Sequence, residues 1–163
     1  MTPAIDLVNK KSIPHQIHEY QHEPIHHSAS NAGGVSYGLE AANKLGVSAE
    51  QVFKTLVVSL DGKELAVAVI PASAKLSMKF LAKAAKAKKA AMADKQEVER
   101  STGYVLGGVS PLGQKKRLRT FIDSSAQNYD TIYVSAGKRG LEIELTSQHL
   151  ADLLSAQIDQ LVV

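Results

Sequence analysis

Hydrophobic residues dominate "QVFKTLVVSLDGKELAVAVIP" (51–71), whose longest polar break is "DGKE" (61–64). Two apolar runs joined by Asp-Gly predict a β-hairpin, because that pair accepts the positive φ angles of the turn that suits strand twist. Neither run alternates cleanly with polar residues, so both faces are expected to be covered and the hairpin to lie centrally in a sheet. Lys54 is the exception. Side chains alternate along a strand, so Lys54 points with Val52, Leu56, Val58 and Leu60.

Around the hairpin the pattern changes to helical spacing and short strands. Thr2-Pro3 opens a helix with Ile5, Leu7 and Val8, expected to stop near Lys11. "HQIHEY" (15–20) has strand character, and "QHEPIHHSASNAGG" (21–34) is read as a polar, mobile loop. A helix runs from Tyr37 to a glycine stop at Gly46, and "SAEQ" (48–51) matches a capping box opening one further turn. Ser77 caps a helix to about Lys86, and "DKQEVERSTG" (94–103) is a short helix. "YVLGGVSPLGQKKRLR" (104–119) reads as a strand entering a glycine-rich loop. "TFID", "DTIYVSAG" and "GLEIEL" are strands, the last alternating as if half-buried, and Thr146 caps a final helix. Without a regular βαβ repeat, the order predicts an α+β or mixed α/β fold, with helices flanking a curved, largely antiparallel sheet. No internal repeat or linker divides the chain, so residues 1–163 are expected to form a single domain.

Composition adds limits. The chain has 163 residues, 44% hydrophobic and 21% charged, ordinary values for a globular protein. It has no cysteine, which excludes a disulfide, a thiolate metal site and a thiol nucleophile of its own. No apolar run approaches membrane-spanning length, so a soluble, cytoplasmic protein is expected. Net charge is only +3, but cations cluster in "KAAKAKKA" (83–90), "KKRLR" (115–119) and Lys138-Arg139. Lys79, Lys83 and Lys86, spaced i, i+4 and i+7, form a stripe extended by Lys88 and Lys89. Such a stripe is either a solvated face or a phosphate-contacting one.

Catalytic motifs are mostly absent. "GGVSPLGQKK" (107–116) fails as a P-loop, since Gly113 is followed by Gln114 and Lys115 by Lys116. What remains is a tight loop, either structural or offering backbone N–H groups to an anion or a carbonyl oxygen. His22, His26 and His27 are the tightest histidine group; in a Gly-, Ser- and Asn-rich stretch with few carboxylates they read as solvated. His149 lies in the last helix without a chemical assignment. No serine occupies a nucleophile elbow.

In combination, "TPAIDLVNKKSIPH", "FKTLVVSLDGKELAVAVIP", "ERSTGYVLGGVSPLGQKKRLRTFIDSSA" and "TIYVSAGKRGLEIEL" resemble the YbaK family of trans-editing Cys-tRNA(Pro) deacylases, in order and over nearly the whole chain. The resemblance implies an editing domain related to the editing insertion of some bacterial prolyl-tRNA synthetases. It implies no cofactor and no metal, and as partners the acceptor end of Cys-tRNA(Pro) and prolyl-tRNA synthetase, with neither membrane nor DNA. Lys54 would be the hallmark catalytic residue, facing the aminoacylated 3′ end. Tyr20, Thr55, Gly107, Gly108, Ser135 and Glu142 would line the substrate site. Lys79, Lys83, Lys86, Lys115, Lys116 and Arg117 would meet tRNA phosphates. The substrate's own thiol would attack its carbonyl and leave as a cyclic thioester. Alternatives are a deacylase for alanine or serine, or a non-catalytic module binding tRNA or the synthetase. Glu142 stands where the family would have aspartate, Ala136 where glycine is expected, and the connection at 24–38 is longer than usual.

Overall fold

The computed structural model describes residues 1–22 and 36–163. Residues 23–34 of the polar loop, with His26 and His27, and all but residues 36–38 of the long connection at 24–38 lie outside the described residues. In chain order the elements are α1 (Pro3–Lys10), β1 (Gln16–Glu19), α2 (Tyr37–Leu45), β2 (Phe53–Leu60), β3 (Glu64–Pro71) and α3 (Met78–Ala85). They continue with β4 (Ala90–Met92), α4 (Lys95–Thr102), β5 (Arg119–Asp123), β6 (Ile132–Lys138), β7 (Leu141–Leu145), α5 (Ser147–Leu154) and β8 (Gln157–Asp159).

The apolar hairpin forms as its sequence predicts. Phe53 pairs with Pro71, Lys54 with Ile70 and Leu60 with Glu64, and Asp61 and Gly62 turn the chain at φ 55° and 65°. It is central in a five-stranded sheet ordered β4-β2-β3-β5-β8, where β4 is antiparallel to β2 and the β3–β5 and β5–β8 pairs are parallel. A second sheet, β1-β7-β6, is antiparallel throughout. The expected curved sheet is therefore in two parts. They meet at one parallel bridge, Val52 to Tyr133, where Tyr133 N donates to Gln51 O at 3.1 Å and Gln51 Nε2 donates to Thr131 O at 2.8 Å.

Alternation along the hairpin divides the interior. Phe53, Val67 and Val69 enter the main core with Val8 of α1, Leu112, Ile122, Ile132, Ile143 and Leu150. The residues between them, including Val58, Ala66, Ala68 and Ile70, face Leu81 and Ala85 of α3. Both faces are covered, which is why polar alternation is missing from this stretch. A third cluster joins Ala41 and Ala42 of α2 to Val52, Ala72 and Tyr133 at the seam, with Tyr20 at its margin.

The helix starts follow their capping signals: Thr2, Ser36, Ser77, Asp94 and Thr146 each accept a backbone N–H three residues ahead. "SAEQ" makes only a single turn, with Ser48 Oγ accepting from Glu50 N while the Gln51 side chain goes to Thr131. The α3 helix ends at Ala85, and Lys86 adopts φ 57° as its C-cap.

One sequence-based expectation fails. Residues 104–118 form a loop with no strand, because their hydrogen bonds go to the end of α4 and back into the loop itself. Lys115 N and Lys116 N donate to Thr102 O and Ser101 O, both at 2.9 Å, and the Tyr104 hydroxyl donates to Leu112 O at 2.6 Å. A Cβ on Gly113 would stand 2.6 Å from the Pro3 carbonyl carbon, so this glycine permits the loop to press against the start of α1. Strands β4 and β8, three residues each, carry too few positions to show a period.

Candidate active site

The site forms around the seam between the sheets. Beyond the Val52–Tyr133 bridge the chains run parallel, and two residues further on come Lys54 and Ser135, on the same side as the bridging pair. Ser135 stands opposite Glu142 on β7, and Glu142 stands opposite His18 on β1. One face of the small sheet is thus polar, carrying His18, Ser135, Glu142 and Glu144, while Val134 and Ile143 on the other face enter the core. Tyr20 follows β1 and is fixed by its N–H, which donates to Gly140 O at 2.9 Å.

The charges on this side are sparsely compensated. Among the described residues, half-buried Lys54 donates only a long hydrogen bond, 3.4 Å, from Nζ to Ala72 O. Burial, and then the nearby cation of Lys75, lower its pKa below the ordinary lysine value. Glu142 is 6% exposed, and burial pushes its carboxyl up to about 8. Burial, followed by the negative charges of Glu142 and Glu40, pushes the Tyr20 phenol up to about 12.

Two residues along the same strand, Glu144 is in the opposite condition. Burial works against its charge, but hydrogen bonds from Thr131, His18 and Tyr133, with the charge of His18, outweigh it and lower the pKa. His18 Nε2 lies 2.8 Å from Glu144 Oε1, and the His18 and Tyr133 rings are 5.2 Å apart. The even spacing of Glu142 and Glu144 in "GLEIEL" is visible in the sequence. Their opposed environments are set by strand neighbours and are not.

Gly107 packs on Tyr37 at the start of α2, and Gly108 on the end of β6 and the β6–β7 turn. At Gly107, with φ 94°, a Cβ would lie 3.1 Å from the Tyr37 ring; at Gly108 it would lie 2.8 Å from Lys138 Cα and 3.0 Å from Lys138 N. Beside them Arg139 forms a two-pronged pair with Glu40, at 2.8 and 2.7 Å, and stacks 5.2 Å over the Tyr37 ring. This half-buried clamp ties α2 to the turn and has no motif in the sequence.

The fold brings Tyr20, Lys54, Ser135 and Glu142 to one side of the seam, with Gly107 against Tyr37 and Gly108 at the β6–β7 turn. Thr55 points to the opposite face of β2, and its buried Oγ1 has no hydrogen-bond partner among the described residues. Lys79, Lys83 and Lys86 are exposed on α3 and its cap. Lys116 and Arg117 line a separate concavity of about 330 Å³ with Leu7, Lys11 and Leu153, and Lys115 is exposed close by. Among the described residues no group of three or more His, Asp or Glu could hold a metal ion.

The model of the aminoacyl-tRNA editing domain matches residues 35–153. The chain belongs to the aminoacyl-tRNA editing domain family. Membership makes it an enzyme of tRNA editing, an aminoacyl-tRNA deacylase. It is 36% identical over 160 residues, 98% of this chain and 92% of the relative, to the Enterococcus faecalis protein named "Putative Cys-tRNA(Pro)/Cys-tRNA(Cys) deacylase EbsC". It is 29% identical over 119 residues, 73% of this chain and 75% of the relative, to YwhH of Bacillus subtilis. Among solved structures, one described as "a putative trans-editing enzyme for prolyl tRNA synthetase" superposes at TM-score 0.78, with 21% identity over 98% of this chain and 92% of that one. The hypothetical protein APE2540 superposes at 0.84, with 21% identity over 99% of both chains. These two likenesses speak for the fold. No helix among the described residues is long and apolar enough to cross a membrane.

Proposed function

We propose that the enzyme removes cysteine from mischarged Cys-tRNA(Pro), with residues 1–163 acting as one editing unit beside prolyl-tRNA synthetase. The observation that carries the reading is the half-buried Lys54 ammonium, which no carboxylate neutralises among the described residues, on the side of the seam that bears Ser135, Glu142 and Tyr20. A cation in that setting is matched to an oxygen that becomes negative during ester cleavage.

The chain has no thiol, so the sulfur belongs to the substrate. The cysteinyl sulfur bonds to its own carbonyl carbon, the bond from that carbon to the terminal ribose oxygen breaks, and the thiol proton ends on that oxygen. The amino acid leaves as a cyclic thioester without water entering the step. Lys54 stabilises the oxyanion, Ser135 and the Gly107 backbone N–H offer further donors, Gly108, whose N–H is given to Val105 O at 3.0 Å, shapes the loop, and Tyr20 and Glu142 border the aminoacyl group. Thr55 supports β2 from behind Lys54. Lys79, Lys83, Lys86, Lys115, Lys116 and Arg117 attract RNA phosphates. Editing of this kind answers a size problem: a synthetase pocket for proline separates poorly the similarly sized cysteine.

The relative named as a Cys-tRNA deacylase supports this substrate. The test compares release of the amino acid from Cys-tRNA(Pro) with release from its S-methylated form and from alanyl and seryl tRNA(Pro). Rapid release from Cys-tRNA(Pro) alone is the expected result; equal rates for the S-methylated form would remove the substrate thiol from the mechanism.

A further inference from the structure

At the opposite end of β2 from Lys54, the β2–β3 turn and the segment after α3 enclose an open, polar concavity of about 620 Å³. Lys63, Lys88 and Lys89 line it. Its single carboxylate, Asp61, is engaged with the backbone, accepting from Lys88 N at 3.0 Å and Lys89 N at 2.9 Å, while Asp61 N donates to Lys89 O at 2.9 Å. The turn therefore holds both lysine-bearing strands in place and leaves the three exposed ammonium groups without a carboxylate partner among the described residues. Ser59 and Ala91, which complete the lining, lie on the face of the sheet opposite Lys54, so an RNA held at both points rounds the β4 edge.

The form of this surface points to an extended polyanion. Lysines on solvated stems around a broad, open hollow do not present the fixed donors that select a small ligand, but they suit a repeating row of phosphates. Distance supplies the rest. Six residues of strand separate Lys54 from Leu60, roughly 20 Å at about 3.3 Å per residue. One strand of duplex DNA advances about 3.4 Å per phosphate and the A-form RNA duplex somewhat less, so that span corresponds to at least about six nucleotides.

We propose that this concavity is a backbone-phosphate site for the paired part of the substrate tRNA, at least about six nucleotides from the end held at Lys54. The proposal rests on the editing reading and gives it a second point of attachment. It is tested with the triple variant Lys63→Gln, Lys88→Gln, Lys89→Gln in two measurements. The first is binding of an uncharged RNA hairpin carrying the acceptor sequence, followed by anisotropy across salt concentrations. The second is deacylation of whole Cys-tRNA(Pro) against that of cysteinyl adenosine.

The salt slope is expected to fall by about 2 to 3, since each phosphate contact contributes about 0.9. kcat/KM on whole tRNA should fall roughly tenfold or more with kcat/KM on cysteinyl adenosine unchanged, a separation that general misfolding could not produce. An unaltered slope, or equal loss on both substrates, overturns the proposal. Hairpin binding does not depend on turnover, so a wild-type enzyme that bound with the full slope but released no cysteine would defeat the editing reading alone.

Discussion

Lys54 and Glu142 are two ionisable groups whose surroundings each disfavour charge. If the ammonium stabilises the oxyanion, Lys54→Met should reduce kcat by at least a hundredfold, the usual scale for one such donor, with circular dichroism unchanged. Wild-type kcat should decline at high pH below the ordinary lysine range, because the Lys54 pKa is lowered. A pH–rate profile measures both. Glu142 affects stability with the opposite sign. Its folded pKa of about 8 lies above the ordinary 4.5, so the folded state binds the extra proton between those values. Its contribution is complete below about 4.5 and is lost as pH rises through about 8, with a slope approaching 1.4 kcal/mol per unit. Glu142→Gln should flatten that part of the profile in denaturant titrations; an unchanged profile would show that the carboxyl ionises normally. Thr55 offers a third comparison. Its buried hydroxyl lacks a partner among the described residues, so Thr55→Val should leave stability equal or raise it by up to about 1 kcal/mol. A fall in turnover at unchanged melting temperature would mark Thr55 as a support for Lys54.

At the scale of elements, the loop at 104–118 shows where pattern reading succeeds and where it stops. Caps at Ser77, Asp94 and Thr146, and the turn at Asp61-Gly62, are local chemistry and are legible in a few letters. "YVLGGV" has side chains that suit a strand, whereas Tyr104 N turns back to Thr102 Oγ1, Gly108 N to Val105 O, and Gly108 abuts Lys138, a contact distant in sequence. Gly108 tests this. Gly108→Ala would force a methyl group to within 2.8 Å of Lys138 Cα, and should cost about 1–3 kcal/mol in chemical denaturation. The same change would push the loop away from Arg139 and lower turnover with it.

For the whole molecule, the motifs carried by resemblance led to Lys54, Tyr20, Ser135 and Glu142, and strand register brings them to one side of the seam. Their environments could not be read from letters. The clamp of Arg139 with Glu40 and the tie from His18 to Glu144 join residues far apart in sequence, and the ties from Tyr133 and Thr131 to Glu144 depend on the register of β6 against β7. The lysines allow a molecular-scale prediction separate from the concavity. Lys79→Gln with Lys83→Gln should lower the salt slope of tRNA binding by about 2, and an unchanged slope would leave α3 as a solvated face. The single bridge between Val52 and Tyr133 has a further consequence. A ladder of one residue pair leaves the strand ends beyond it without mutual backbone hydrogen bonds, so altering the bulk of either bridging residue should shift the ends that bear Lys54 and Ser135 relative to each other. The calibre of the amino-acid chamber can thus be reset from beneath, leaving every group that meets the ester untouched.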